Sequence, residues 1–319
     1  MIKYILIFSF SILISFNSFA KESNLNVTTF NLGALSPFSS LTKKRVKQFC
    51  KKIKNSNYDL VFIQEAWQRK YRRRLKKCGF PYVLDLQKQI GLVTRWKKGL
   101  LRKKSLKRLA FIFNLFRNNY GYDTGLLILS KHPFLNSSKL RYIVGSNENH
   151  KWDGEVLVTK GAIGATILHP VLGEIFVATT HLVAEYSDHS YNNERLQQFN
   201  MLTAWLEKNA RNNPIIITGD FNVSPPRSDG SDRYNKTNLI WNQVMDNLLF
   251  NFHEVSLNFG NLTTYPNDSI EKEEGVLDHI FVTKDLDPYF GEIIFKETYK
   301  RRKKTYTLSD HYGLNVQIR

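Results

Sequence analysis

The stretch 215–225, IIITGDFNVSP, decides the reading of this chain. Three isoleucines and a threonine favour an extended strand, Gly219 punctuates it, and Asp220 and Asn222 stand two positions apart, on one side if the extended geometry persists. An acid and an amide after a strand are also what a tight turn selects. Other segments repeat the arrangement. TTHLVAEY (179–186) places His181 after the apolar run 175–178, FIQEAW (62–67) places Glu65 after Val61, Phe62 and Ile63, and TTFNLGA (28–34) places Asn31 after Val27. LDHIFV (277–282) sets Asp278 inside an apolar strand, and LSDHYGL (308–314) sets Asp310 and His311 just before the last one. Each fragment alone reads as a cap or turn; a common site explains the set.

Outward from these fragments, apolar runs predict strands over 25–30, 60–64, 125–130, 163–169, 174–180, 214–218 and 276–282, and helices over 42–54 and 193–208. In the second helix, Leu196, Phe199, Leu202 and Leu206 form an apolar stripe, and Asn193 followed by Glu194 predicts a polar cap. The stripes need a sheet to cover, and strands joined by both hairpins and helices predict mixed sheets, two of them packed face to face with helices outside. The chain contains no repeat, low-complexity tract or Pro/Gly-rich linker, so 21–319 reads as a single α/β domain.

Residues 1–20 carry one lysine, an apolar run from Tyr4 to Phe16, and the close Ser18-Phe19-Ala20, the pattern of a cleaved export signal. The run is shorter than the roughly 20 residues a membrane-spanning helix needs. Secretion or delivery to the periplasm is the expectation. With 46 Lys and Arg against 28 Asp and Glu, the net charge is +18, a surface drawn to nucleic acid or anionic membrane unless it is only a basic proteome background. Two cysteines, Cys50 and Cys78, exclude a disulfide scaffold and a Cys-rich zinc site, and leave open whether they pair. The segment 91–119, GLVTRWKKGLLRKKSLKRLAFIFNLFRNN, interleaves basic residues with Leu, Trp and Phe; it reads either as an interfacial amphipathic element or as an ordinary surface helix.

Oxygen ligands without cysteine suit a hard cation such as Mg²⁺, with Mn²⁺ or Ca²⁺ as substitutes, better than Zn²⁺. A metal clamp beside a His–Asp pair is equipment for hydrolysing a phosphoester. The ordered set Asn31, Glu65, His181, Asp220 with Asn222, Asp278, and Asp310 with His311 resembles the endonuclease/exonuclease/phosphatase superfamily with the DNase I-like fold. Between these motifs, GLLILSKHP (125–133), TKGAIGATIL (159–168) and THLVAEY (180–186) look most like the neutral sphingomyelinases. The resemblance implies a four-layer α/β sandwich and Mg²⁺-dependent, phospholipase C-type cleavage of sphingomyelin to ceramide and phosphocholine by a monomer acting at a membrane surface. The alternative is a secreted endonuclease acting on DNA or RNA with the same site.

Carried over position by position, the resemblance implies Glu65 as the main metal ligand, Asn31 beside the metal or the phosphate, and Asp310 adjacent to the metal site. It implies His311 as general base oriented by Asp278, His181 and Asn222 on phosphoryl oxygens, Asp220 at the nucleophile or leaving oxygen, and Lys160 as a phosphate or head-group contact. His279 is expected on the opposite face of its strand from Asp278, packed, and His132 at a turn.

Overall fold

β-Branched and aromatic residues at every second position or in continuous runs build two six-stranded sheets. The computed structural model describes residues 24–34, 42–87, 123–143, 158–184, 191–225, 240–244, 252–254, 264–266, 274–301 and 304–319. The expected signal segment 1–20 and the basic segment 91–119 lie outside them.

In the first sheet, β1 (Leu25–Asn31) pairs in parallel with β2 (Leu60–Gln64) across the helix α1 (Thr42–Lys54). β4 (Leu127–Ser130) and β3 (Tyr82–Leu84) extend it beyond β2, while β16 (Gly313–Ile318) and β13 (Pro288–Ile294) extend it beyond β1, giving the order β13-β16-β1-β2-β4-β3. The second sheet repeats the plan. β7 (Gly173–His181) and β8 (Ile215–Asp220) are parallel, joined through α3 (Asn192–Ala210), and flanked by β6 (Gly161–His169), β5 (Phe134–Arg141), β12 (Asp278–Thr283) and β9 (Phe252–Glu254) in the order β5-β6-β7-β8-β12-β9. The short α2 (Arg69–Leu75) and two ribbons, β10 (Tyr265–Pro266) with β11 (Glu274–Gly275) and β14 (Tyr299–Arg301) with β15 (Lys304–Tyr306), complete the described elements.

Three apolar layers hold this together. Val27, Phe62, Ile128 and Val316 meet Ile163, Val177, Ile216 and Ile280 between the sheets. Phe30, Val61 and Leu127 turn the other way, onto Val46, Phe49 and Ile53 of α1 and Tyr71 and Leu75 of α2. Phe176, Ala178 and Ile217 face Phe199, Leu202 and Leu206 of α3. The order is helices, sheet, sheet, helix, the four-layer sandwich. Because the central strands are covered on both faces, they read as unbroken apolar runs rather than alternating ones.

The expected spans of β2 and α1 match those observed, and the other expected strands differ by a few residues at their ends. α3 starts differently from the expectation. It begins at Asn192 with Tyr191 as N-cap and no side-chain cap bond, which places the expected cap residue Asn193 inside the first turn; the Asn192 side chain accepts from Arg195 Nη2 at 2.7 Å. Its buried face also includes Arg195 and Gln198, while Leu196 is only half-buried. Cys50 of α1 and Cys78 after α2 are disulfide-bonded, with Cα atoms 5.0 Å apart.

Candidate active site

Parallel strands joined by helices bring their C-terminal ends to one edge, where ligands bind in open α/β sheets. Here both parallel pairs end at the same edge of the sandwich. Asn31 closes β1, Glu65 follows β2, His181 closes β7 and Asp220 closes β8, while the antiparallel β12 begins there with Asp278. Asp278 lies opposite Asp220 in register, and His181 lies opposite Asp220 on the other side. The loop into β16 adds Asp310 and His311.

Gly219 explains the opening stretch. Its φ of +143° and the Thr180 carbonyl, 2.1 Å from where a Cβ would stand, leave room for no other residue. The strand ends at Asp220 and the chain turns, with Asn222 in the left-handed region at φ +51°. The extended geometry therefore does not persist to Asn222. Instead the Asn222 backbone N–H donates to Asp220 Oδ1 (3.0 Å) and its side chain donates to the Leu182 carbonyl (3.0 Å). Gly33, at φ +54°, likewise makes room: a Cβ there would meet Asp310 Oδ1 at 2.6 Å and Ser309 Oγ at 2.9 Å.

Asp220 is the hub. Its Oδ2 accepts from Asn31 Nδ2 at 2.9 Å and lies 3.4 Å from His181 Nε2 and 3.7 Å from His311 Nε2. His311 Nδ1 is 2.7 Å from Asp278 Oδ2, which turns Nε2 toward Asp220 and Asn31. Thr264 Oγ1 accepts from the backbone of Leu277 and Asp278, and the Tyr265 ring packs edge-on against His311 at 4.8 Å. On the far side Lys160 Nζ meets His181 Nε2 at 2.7 Å, and the Trp67 ring stands 6.3 Å from that of His181. The loop after His181 is held from α3: Val183 N–H donates to Gln198 Oε1 (2.9 Å), and Arg195 Nη1 donates to the Val183 carbonyl (3.2 Å). Beneath the site, Gln64 Nε2 donates to Thr29 in its own sheet (3.0 Å) and to Thr179 in the other (2.8 Å).

The electrostatics follow from burying so many charges together. Glu65 keeps some surface open, but desolvation of its carboxyl and the neighbouring Asp310 charge raise its pKa to about 7, against the pull of Lys160 and His311. Desolvation likewise raises Asp220 to about 6, with His311 opposing and Asp278 adding to the rise. For His311, burial works against the charged form, but Asp278, by charge and hydrogen bond, and then Asp220 and Asp310 outweigh it and lift the pKa to about 10. His181 moves oppositely: burial, then Lys160 and His311, push it well below the ordinary imidazole value.

Asp220, Asp278 and His311 can bring three ligand atoms within 4.8 Å of one another, a buried group able to hold a metal ion. The Asp278–His311 bond engages one oxygen and Nδ1 of that group. The Asp310 charge acts on the desolvated Glu65 carboxyl, and a dication beside them would relieve that repulsion. The carboxylates of Glu65, Asp310 and Asp220 are oxygen donors that fit a hard cation.

All nine expected residues therefore lie at this edge: Asn31, Glu65, Lys160, His181, Asp220, Asn222, Asp278, Asp310 and His311. His279 points away from them, buried against Phe221, Trp241 and Phe281 with Nε2 2.8 Å from the Val223 carbonyl, and His132 sits at the turn between β4 and β5. Not anticipated were Gln64, Thr264 and Tyr265. Gln64 shows as a polar break at the end of an apolar strand, whereas Thr264 and Tyr265 follow a stretch with no pattern.

Two sheets that converge polar strand ends on one His–Asp pair define a class, the two-sheet sandwich with a hydrolytic type of site at its edge. Within that class, residues 28–311 match the Endonuclease/Exonuclease/phosphatase family model, and the chain belongs to that family. The inositol phosphosphingolipids phospholipase C of Schizosaccharomyces pombe is 26% identical over 211 residues, which cover 65% of this chain and 43% of that protein. The chain thus spans less than half the length of the curated relatives it matches. Among solved structures, sphingomyelinase C from Streptomyces griseocarneus shares the fold with a TM-score of 0.60 at 16% identity, over 92% of this chain and 99% of that one. D. rerio TDP2 complexed with a single strand DNA product does so with a TM-score of 0.63 at 15% identity, over 93% and 100%.

Proposed function

We propose that this chain is an exported, Mg²⁺-dependent phosphodiesterase that cleaves sphingomyelin in the manner of a phospholipase C, releasing ceramide and phosphocholine. The observation that carries the hydrolytic part is the 2.7 Å His311–Asp278 pair aimed at Asp220 and Asn31. The sphingolipid part rests on the sequence relation to a phosphosphingolipid phospholipase C, and export on the N-terminal segment together with the Cys50–Cys78 bond, since disulfides persist in oxidising compartments.

In this reading Asp278 holds the His311 ring through Nδ1, leaving Nε2 to take a proton from the attacking water. Asn31, by donating to Asp220 Oδ2, fixes the hub carboxylate on which the water is oriented. His181, kept neutral by burial and Lys160, and the second amide hydrogen of Asn222 donate to phosphoryl oxygens, and Lys160 offsets their charge. Glu65, with Asp310 and Asn31 nearby, would hold the divalent cation, whose charge would stabilise the phosphoryl oxygens and oppose protonation of His311.

A second reading, a nuclease, is favoured by the net charge of +18 and by the shared fold of the DNA-bound D. rerio protein. Purified protein with Mg²⁺ is to be incubated in parallel with sphingomyelin vesicles, inositol phosphosphingolipid vesicles, phosphatidylcholine vesicles, single-stranded DNA and plasmid. Phosphocholine release from sphingomyelin at least tenfold faster than from phosphatidylcholine is expected. Release only from the inositol lipid would move the substrate within the sphingolipids; cutting of DNA without head-group release would overturn the proposal.

A further inference from the structure

The helical layer on the first sheet carries a charge distribution that the catalytic site does not explain. Between Thr42 and Gly79 the chain has fourteen Lys or Arg and two acids, and those two are accounted for: Asp59 pairs with Lys131 and Glu65 stands in the site. Because α1 follows β1 and α2 follows β2, both helices begin at the edge where the site lies. The first turn of α1 is tied there directly, by Arg45 Nε donating to the Thr307 carbonyl at 3.1 Å, two residues before Ser309 and three before Asp310.

Lys43, Lys44 and Lys47 of α1 and Arg69, Lys70 and Arg73 of α2 are all exposed, and none forms an ion pair among the described residues. Spacings of three and four residues put them on the outer face of each helix, where like charges repel. In α1 the first turn holds no acid, so Lys43 and Lys44 add to the positive end of the helix dipole, opposite to what helix stability favours. Cations kept against local energetics, on two helices stapled together through Cys50 and Cys78, indicate a use outside the fold.

We propose that this α1–α2 corner is a docking surface for the anionic leaflet of a lipid bilayer, holding the membrane beside the catalytic edge. Charge complementarity selects a polyanion, and placement selects a planar one. A strand of nucleic acid passing through the site would be met by cations along the edge itself, but among the described residues that edge offers Lys160, while Lys139 and Arg141 are engaged by buried Asp123. The proposal deepens the reading of the chain as a lipid phosphodiesterase and names where the surface engages. Basic residues near such a surface each contribute comparably to binding, and salt screens them.

The test is co-sedimentation with vesicles of phosphatidylcholine containing about 30% phosphatidylserine, free of sphingomyelin and with chelator present, so that hydrolysis does not enter. Three triple variants are compared: Lys43→Gln/Lys44→Gln/Lys47→Gln, Arg69→Gln/Lys70→Gln/Arg73→Gln, and the charge-matched control Lys208→Gln/Arg211→Gln/Lys284→Gln on exposed positions elsewhere. Thermal melts verify folding. Wild type and control should bind alike and be released by salt, whereas each helix variant should bind at least tenfold more weakly. Equal binding by all four proteins, equal loss in the control, or binding to plasmid but not to vesicles would overturn the proposal. Vesicle binding without head-group release in the separate assay would leave docking standing and sink only the catalytic reading.

Discussion

At the scale of single residues, the site is built against the stability of the fold. A carboxyl whose folded pKa lies above its unfolded value binds more protons folded than unfolded between the two, so stability falls as pH rises through that window. For Glu65 the window runs from 4.5 to about 7, and for Asp220 from 3.8 to about 6. His311 is raised as well and gives the same slope at higher pH, as stability that is fully present below 6.5 and is lost as pH rises through about 10. At pH 8 without metal, Glu65 carries its full desolvation cost. Glu65→Gln should therefore raise stability at pH 8 in chelator by roughly 1–3 kcal/mol, the gain shrinking as pH falls from about 7 and vanishing below 4.5. Added Mg²⁺ should raise the melting temperature of the wild type and leave that of the variant unmoved. A variant that melts lower than wild type in chelator, or that keeps the wild-type Mg²⁺ response, would remove Glu65 from the metal site.

At the scale of elements, positions far apart in sequence are fixed by a few ties between secondary structures. Val183 is held at both its backbone groups by α3, so the loop that follows His181 moves with that helix. α1 is fastened to the segment after α2 by the disulfide and to the first sheet by the packing of Phe49 on Phe30 and Phe295, with ring centroids 5.0–5.4 Å apart. The cross-link spans 28 residues, a closed loop for which chain entropy gives about 3–4 kcal/mol. Cys50→Ser with Cys78→Ser should lower stability by about that amount, and reductant should destabilise the wild type alone. Hydrolysis of a soluble phosphodiester at 20 °C should be retained, because neither sulfur approaches the site. Urea unfolding with and without reductant measures this, and coincident curves would mean that the bond contributes nothing to the folded state.

At the scale of the whole molecule, the sequence made the two-sheet plan and the site legible for one reason: buried parallel strands are continuous apolar runs, and a polar residue ending such a run is conspicuous. Asn31, Glu65, His181 and Asp220 all announce themselves that way. The peripheral β5 and β13 do not, since FLNSSKLR and PYFGEII mix polar and apolar residues along edges where no residue is fully buried. The start of α3 is not legible either, since the helix runs one residue further back than the polar pair Asn193–Glu194 suggests and is capped by Tyr191, and Thr264 and Tyr265 matter through contacts with Leu277, Asp278 and His311. Gln64 belongs to this scale too, because beneath the Asn31–Asp220 and His311–Asp278 contacts of the site it is a further polar link between two sheets whose facing layers are otherwise largely hydrocarbon. Catalytic groups from both sheets must be held within a fraction of an ångström, and a misplacement of about 1 Å costs up to roughly 100-fold in rate. Gln64→Leu conserves volume but leaves the Thr29 and Thr179 hydroxyls without their donor, at a cost of about 1–3 kcal/mol. If the link sets the spacing of Asn31 and Glu65 from His181 and Asp220, kcat on a soluble phosphodiester should fall about tenfold or more while KM stays within about threefold. A variant that loses stability but keeps its kcat well below its melting temperature would show that the apolar layer alone sets the distance between the halves.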